Sequence, residues 1–277
     1  MNDGEFLYLK RKILELTNID INGYKDVQMR RRLNMFVSRT QTRNVVSYCH
    51  MLEQDMDMLK QLQDFLTINV SQFFRDFPQF EQLRIYILPE LLRNRPSLNV
   101  WSAGCSGGAE PYSIAILLEE ISPCSSHRIL ATDIDERSLT RASAGGPYSS
   151  DDVKNIPAHL LNKYFVMSDG GYRIIDRLKQ KMQFRQHNLL CDKFERGLDL
   201  LVCRNVTIYF TDEVKSDLNR KFYHSLKDGG ILFIGATEIM PADGAIDFTR
   251  KGICFYQKAT TKSSARVLGR TPASSRT

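Results

Sequence analysis

The strongest constraint on the fold is an apolar run that ends in glycines and small residues before a helical stripe: Trp101-Ser102-Ala103-Gly104-Cys105-Ser106-Gly107-Gly108-Ala109-Glu110-Pro111-Tyr112-Ser113. Leu98 to Trp101 reads as a strand, and Tyr112, Ile114, Ala115, Leu117 and Leu118 as the apolar side of a helix. Strand, glycine turn and helix form the geometry by which an α/β sheet brings a ligand against backbone N–H groups and a helix N-terminus. Glycines suit the turn because a Cβ would block close approach and penalise positive φ. A tight βα turn without a ligand leaves the same pattern.

The alternation continues after this unit. Candidate strands are Leu98–Ala103, Arg128–Asp133, Met182–His187, Leu198–Cys203, Gly230–Gly235 and Ile253–Gln257. Helices are expected near Pro111–Ile121, Asp135–Ser143 and Asp212–Leu226. Short apolar strands separated by helices imply a mostly parallel sheet that binds ligands at its C-terminal edge. The alternation breaks between about 147 and 181. Tyr164-Phe165-Val166, the turn Asp169-Gly170-Gly171 and Tyr172-Arg173-Ile174-Ile175 there read as a small hairpin insertion.

Before Pro96 the spacing is helical throughout. Phe6, Leu9, Ile13 and Leu16 recur at three and four residues, as do Met29, Leu33, Phe36 and Val37. Val45, Tyr48 and Leu52 suggest a third helix, and Leu59, Leu62, Phe65 and Leu66 a fourth. Residues 1–76 are therefore expected to form a helical domain. A linker helix over 77–95 starts near Pro78, carries Phe80, Leu83, Ile87 and Leu91, and stops at Arg95-Pro96. The sheet domain spans 96–258, and 259–277 reads as a disordered basic tail.

Composition narrows the function classes. No apolar run approaches the length of a membrane span, and the first residues lack the layout of a secretory signal. The six cysteines show no CxxC pairing, which fits reduced, cytoplasmic thiols. The five histidines have no metal-ligand spacing, so no metal is expected. The net charge of +6 sits largely on the tail, where Lys262, Arg266, Arg270 and Arg276 face no acid. A more local feature is the acid-free stretch from Val27 to Leu52, with Arg30, Arg31, Arg32, Arg39 and Arg43.

Polar residues at strand ends are the candidate site. Asp133 ends the second strand, where an acid accepts hydrogen bonds from ribose hydroxyls, and Asp135 is placed to cap the following helix. Asn188 follows the third strand and fits either an adenine edge or a turn, with Leu189 beside it. Arg204 and Asn205 interrupt an apolar run after the fourth strand; a ligand or an internal network must satisfy them. Upstream, Ser71-Gln72-Phe73-Phe74-Arg75 fits either a flap over a ligand or a helix junction.

Taken in order, Asn69-Val70-Ser71-Gln72-Phe73-Phe74-Arg75, Trp101 to Ser106, Glu110-Pro111-Tyr112-Ser113, Ala131 to Asp135, His187-Asn188-Leu189 and Cys203-Arg204-Asn205-Val206 resemble the CheR-type chemotaxis receptor methyltransferases. The resemblance runs from about residue 5 to 258. It implies an α/β fold: a Rossmann-like S-adenosylmethionine-dependent methyltransferase sheet with a small antiparallel β insertion, preceded by an all-helical N-terminal domain. It also implies the cofactor S-adenosylmethionine, with S-adenosylhomocysteine as product. Residue by residue, it places Asn69, Ser71 and Arg75 at the cofactor from the linker and Glu110 at the methionine portion. Asp133 would hold the ribose, and Asn188 and Leu189 would frame the adenine. Arg204 and Asn205 would line the cleft and Tyr209 would lie near the methyl group, which makes Tyr209 and Arg75 the candidate catalytic residues. Family members usually carry Thr-Gly-Glu-Glu where this chain has Gly107-Gly108-Ala109-Glu110, and many have Thr at Ser71.

The implied reaction is methylation of glutamate side chains on the cytoplasmic helical region of transmembrane chemoreceptors, by a cytoplasmic, monomeric enzyme that neither enters the membrane nor binds nucleic acid. Arg31, Arg32 and Arg39 are then candidate docking residues on a basic helix face, the same charges also fitting a solvated face or phosphates. Two other classes remain open: a non-catalytic cofactor-binding module, suggested by Gly107 and Ala109, and a methyltransferase for nucleic acid or a small molecule.

Overall fold

Apolar residues at three- and four-residue spacing bury only if the segments coil and meet, and the first part of the chain does so. The computed structural model describes residues 1–40, 42, 44–67, 71–93, 95–238, 240 and 246–260. It begins with α1 (Asp3–Thr17), α2 (Asp26–Val37), α3 (Val45–Gln54) and α4 (Met56–Leu66). Side-chain caps start three of them: Asn2 in a capping box with Glu5, Asn44 on Ser47 N–H, and Asp55 on the N–H groups of Asp57 and Met58. Phe6, Leu9, Ile13, Leu33, Tyr48 and Leu62 close their common core.

The linker helix is continuous in path but not in winding: α5 (Phe77–Gln82), a π turn (Leu83–Ile87) and α6 (Leu88–Leu92). Phe80, Leu83, Ile87, Leu88 and Leu91 all reach the sheet's core from this segment. Phe73 and Phe74, assigned to the helical domain in the sequence reading, also pack in the core of the sheet rather than in that of the helices.

Beyond Pro96 come β1 (Asn99–Ala103), α7 (Ala109–Ile121), β2 (Arg128–Asp133) and α8 (Glu136–Ser143). The insertion follows, with α9 (Ser150–Val153), α10 (Ala158–Tyr164), the hairpin strands β3 (Phe165–Ser168) and β4 (Gly171–Ile174), and α11 (Asp176–Lys179). The chain then returns with β5 (Met182–Gln186), β6 (Leu198–Cys203), a 3-10 turn (Thr207–Tyr209), α12 (Asp212–Ser225), β7 (Leu226–Ile234), β8 (Phe248–Arg250) and β9 (Phe255–Lys258). Among the described residues one seven-stranded sheet runs in the order β5-β2-β1-β6-β7-β9-β8, and β3-β4 stand apart. Strands β5, β2, β1, β6 and β7 are parallel, while β9 is antiparallel to both neighbours. The chain steps outward from β1 to β2 and β5, then returns to place β6 on the other side of β1. Ligands bind at such a switch point.

The expected strands are present with shifted ends. β7 starts four residues earlier than expected because Leu226 pairs with Leu198 ahead of an irregularity in the ladder. β8 and the short helices of the insertion were not anticipated, since three- and four-residue elements carry too little periodicity to read. The C-terminal basic tail falls mainly on 261–277, outside the described residues. Among the described residues no helix is long and apolar enough to cross a membrane.

Gly108 is the N-cap of α7 and has φ +89°, where a Cβ would lie 2.8 Å from the Ala142 Cβ. Gly108→Ala is expected to lower stability by about 1–3 kcal/mol, through the left-handed backbone and this contact. Denaturant unfolding checks it; a midpoint equal to wild type contradicts the packing argument.

Candidate functional site

The turn after β1 is built to face the end of β2. Gly104 and Cys105 donate their N–H groups to the Thr132 carbonyl (2.8 and 2.9 Å), and Ser106 N–H donates to Asp133 Oδ2 (2.7 Å). Asp133 Oδ1 also accepts from Asp135 N–H (3.0 Å). Gly104 has φ +79°, and a Cβ there would fall 2.5 Å from the Val206 side chain. The loops after β1 and β6 therefore meet closely above the strand ends.

Glu110 stands in the first turn of α7, accepts from the Ser102 hydroxyl (2.8 Å) and lies 3.5 Å from an Arg204 nitrogen. Arg204 itself is almost wholly buried. It donates to Asp76 (2.8 Å), the Arg75 carbonyl (3.0 Å) and Gln79 (3.0 Å), and its guanidinium lies over the rings of Phe80 and Phe233. Of the two alternatives read from the sequence the internal network is present, and the same residue lines the cleft. Asn205 follows with φ +59°.

A cleft of about 390 Å³ opens at these strand ends. Ser71, Arg75, Glu110 and Asp133 line it, as do Asn188, Leu189, Arg204, Asn205 and Tyr209. These candidates span well over a hundred residues of sequence, and the fold brings all of them to one place. Asn69 lies outside the described residues. The Asn188 side-chain oxygen accepts from Leu190 N–H (2.9 Å), which is the turn-forming reading of this residue. Asp135 caps α8 through Arg137 N–H.

The departures Gly107 and Ala109 do not line the cleft. Ala109 is buried in the core, and the Gly107 carbonyl accepts from the Tyr148 hydroxyl (2.9 Å). Position 109 therefore points a side chain away from a ligand. The segment upstream is stapled to the sheet domain: Gln72 donates to Asp151 (2.8 Å), Phe73 N–H to the Asp152 carbonyl (2.9 Å) and Phe74 N–H to Ser113 Oγ (3.0 Å).

The three docking arginines are not one helix face. α2 ends at Val37, so Arg39 lies past the helix and is exposed. Arg32 turns inward, over the Phe65 ring and donating to its carbonyl. Arg31 is exposed. Seven-residue spacing holds a face only while the helix lasts, and Arg32 finds better partners inside.

The sequence reading missed three residues. Asp20 and Tyr24, from the loop between α1 and α2, line the cleft from the helical side. Lys25 N–H donates to the Tyr209 carbonyl and Thr211 N–H to the Gly23 carbonyl (both 2.9 Å), which ties that loop to the Tyr209 turn. Burial and the nearby Asp133 charge push the Tyr24 phenol up to about 12. An irregular loop has no period to betray it. The third, Glu238, lies three residues past the glycine that follows β7 and accepts from the N–H groups of Asn205 and Thr207.

The family model described as "CheR methyltransferase, SAM binding domain" matches residues 69–252, and "CheR methyltransferase, all-alpha domain" matches 4–67. A chemotaxis protein methyltransferase of Listeria monocytogenes is 38% identical over 244 residues, covering 87% of this chain and 93% of that protein. Chemotaxis protein methyltransferase 2 of Vibrio cholerae is 33% identical over 284 residues, covering 98% of each chain. The chain belongs to the CheR methyltransferase family, and S-adenosylmethionine is its cofactor. Two carboxylates, Asp133 and Glu110, line the cleft together with the guanidinium groups of Arg75 and Arg204.

Burial pushes both carboxyls above their ordinary values, against the N–H groups of Asp135 and Ser106 at Asp133 and against Arg204 and Ser102 at Glu110. An acid raised in this way costs folding stability when ionised. The cost is absent below the ordinary value of 3.8 for Asp133 and grows as pH rises through the raised value. Asp133→Asn removes that cost but turns an amide N–H toward either the Ser106 or the Asp135 N–H, so the drop in its ligand-free thermal midpoint relative to wild type is expected to be smaller at pH 7 than at pH 4. The same change should weaken S-adenosylhomocysteine binding by about tenfold or more, since a hydrogen bond to a charged group is worth roughly 1.5–3 kcal/mol. Calorimetry and thermal scans read the two effects separately. Unchanged affinity would remove Asp133 from the site.

Proposed function

We propose that this methyltransferase esterifies glutamate side chains in the cytoplasmic helical region of chemoreceptors, taking the methyl group from S-adenosylmethionine. The observation that carries the reading is the convergence of Asp133, Glu110, Asn188, Leu189, Asn205 and Tyr209 on one cleft at the switch point of the sheet. In this reading Asp133 holds the ribose, Asn188 and Leu189 frame the adenine, and Glu110 faces the methionine portion. Ser71 and Arg75 border the cofactor from the linker, with Asn69 assigned beside them by resemblance alone.

The bound cofactor supplies a methyl group already activated on a sulfonium. The acceptor carboxylate has an ordinary pKa of about 4.3 and is ionised at neutral pH without a general base. The residues of the cleft have only to align acceptor, methyl and sulfur and to keep water out; alignment alone lowers barriers by roughly 7–11 kcal/mol. Tyr209, half-buried on its 3-10 turn, is assigned to the methyl end of the cleft. His187 lines the cleft too, but its ring packs edge-on against Trp101 and Phe194, and burial pushes its imidazole down from the ordinary value. It is better suited to support the fold than to move a proton.

The helical domain is assigned to receptor docking, with the exposed Arg31 and Arg39 drawing an acidic helix by long-range attraction. We assign the enzyme to the cytoplasm as a monomer, with no role for nucleic acid or membrane insertion. The departures at Gly107 and Ala109 lie off the cleft, which supports catalysis over a purely cofactor-binding module.

Incubation with labelled S-adenosylmethionine and receptor-containing membranes is expected to give label released by base as volatile methanol. Stable label on nucleic acid or on an amine would overturn the assignment, and tight cofactor binding without transfer would favour the module. Tyr209→Phe is expected to lower kcat by about tenfold or more while S-adenosylhomocysteine affinity stays within about threefold, the split of a transition-state contact. Wild-type kcat in that variant would remove Tyr209 from the methyl end.

A further inference from the structure

The loop from Arg204 to Tyr209 carries five of the cleft residues, yet its course is not one that a chain adopts unaided. Asn205 sits in the left-handed region, and the next residues turn into a single 3-10 turn with no side-chain cap. The cost is offset by Glu238, which is 7% exposed and reaches across from the end of β7. Its Oε2 accepts from Gly235 N–H (2.6 Å) and Asn205 N–H (3.0 Å). Its Oε1 accepts from Thr207 N–H (2.9 Å) and the Thr207 hydroxyl (2.8 Å).

All four donors are uncharged, so the carboxylate is held by aligned dipoles rather than by an ion pair. Charge-assisted bonds of this kind are about twice as strong as neutral ones. Space at the site is fitted to the arrangement as well. A Cβ on Gly235 would come within 2.7 Å of Glu238 Oε2 and 3.1 Å of Asn205 N, so only glycine lets the carboxylate bridge the two strand ends. Glu238 does not line the cleft, but of the three residues that it grips Asn205 does, and Thr207 starts the turn that presents Tyr209.

We propose that Glu238 is a positioning residue for methyl transfer: its carboxylate fixes the Asn205–Tyr209 turn, and so sets where the cofactor and the accepting carboxylate meet. A neutral amide in its place cannot accept at both ends, because one end of the amide presents N–H to an N–H donor. The inference rests on the assignment of the cleft to the cofactor.

Glu238→Gln and Thr207→Val test it, each compared with Asp133→Ala. Titration of purified protein with S-adenosylhomocysteine gives the number of competent sites and their affinity separately, and receptor-containing membranes give kcat. Glu238→Gln is expected to keep near one site per chain, weaken affinity by about fivefold or more, and cut kcat by about ten- to a hundredfold, as small misplacements do. Thr207→Val deletes one of the four bonds with little change in volume, so a smaller loss of the same kind is expected. The inference is overturned if both variants bind and turn over as wild type. It is also overturned if Glu238→Gln loses only competent sites, with wild-type affinity in those that remain, because that is a folding defect. If Asp133→Ala binds as wild type, the cleft assignment fails; if it binds weakly while Glu238→Gln does not, only the role of Glu238 fails.

Discussion

Arg204 is the group on which the arrangement of this protein depends. A guanidinium taken almost wholly out of water is costly unless geometry and hydrogen bonds repay it. Here Asp76, the Arg75 carbonyl and Gln79 receive it on one side, and the rings of Phe80 and Phe233 lie against it. Glu110 stands at a longer 3.5 Å. Asp76 is the N-cap of α5 and Gln79 lies within it, Glu110 belongs to the helix after β1, and Arg204 follows the end of β6. One buried cation thereby fixes three segments that each contribute to the cleft. Because Asp76 remains partly in water, the pair is worth less than a fully buried one would be.

The cleft has two walls of different origin. The sheet supplies the floor, where glycine turns let the loops after β1 and β6 approach, and where burial raises Asp133 and Glu110 against the pull of their donors. The helical segment supplies the other wall through Asp20, Tyr24, Leu66 and Thr67. The backbone bonds between Gly23–Lys25 and Tyr209–Thr211 join the walls beside Tyr209, and Tyr24 packs edge-on against Phe210 at the same point. The helical part is therefore a structural component of the site as well as a candidate docking surface.

Much of this was legible in the sequence because the signals were periodic or chemically costly. Four helices and the parallel strands follow from apolar spacing. Asp133, Arg204 and Asn205 stand out because polar groups at the end of apolar strands need partners. What escaped had neither mark. The π turn at Leu83–Ile87 shifts a helical stripe without breaking it, and β8 is too short to show a period. Tyr24 sits in an aperiodic loop, so its place over the cleft is a tertiary fact. Arg32 and Arg39 look equivalent as charges, but one is drawn onto Phe65 and the other falls beyond the helix end. Glu238 lies four residues beyond the end of β7, whereas Asp133 is the last residue of its strand, so the role of Glu238 shows only in the tertiary bonds it makes.

The claim that the C-terminal edge of the sheet and the loop between α1 and α2 together enclose the cofactor is tested most directly by a crystal structure with S-adenosylhomocysteine. The account predicts the nucleoside between Asp133 and Leu189 beneath Tyr24, with the homocysteine sulfur toward Tyr209. A ligand bound away from the β1 and β2 strand ends, or one that leaves Asp133 without a ribose contact, would contradict it.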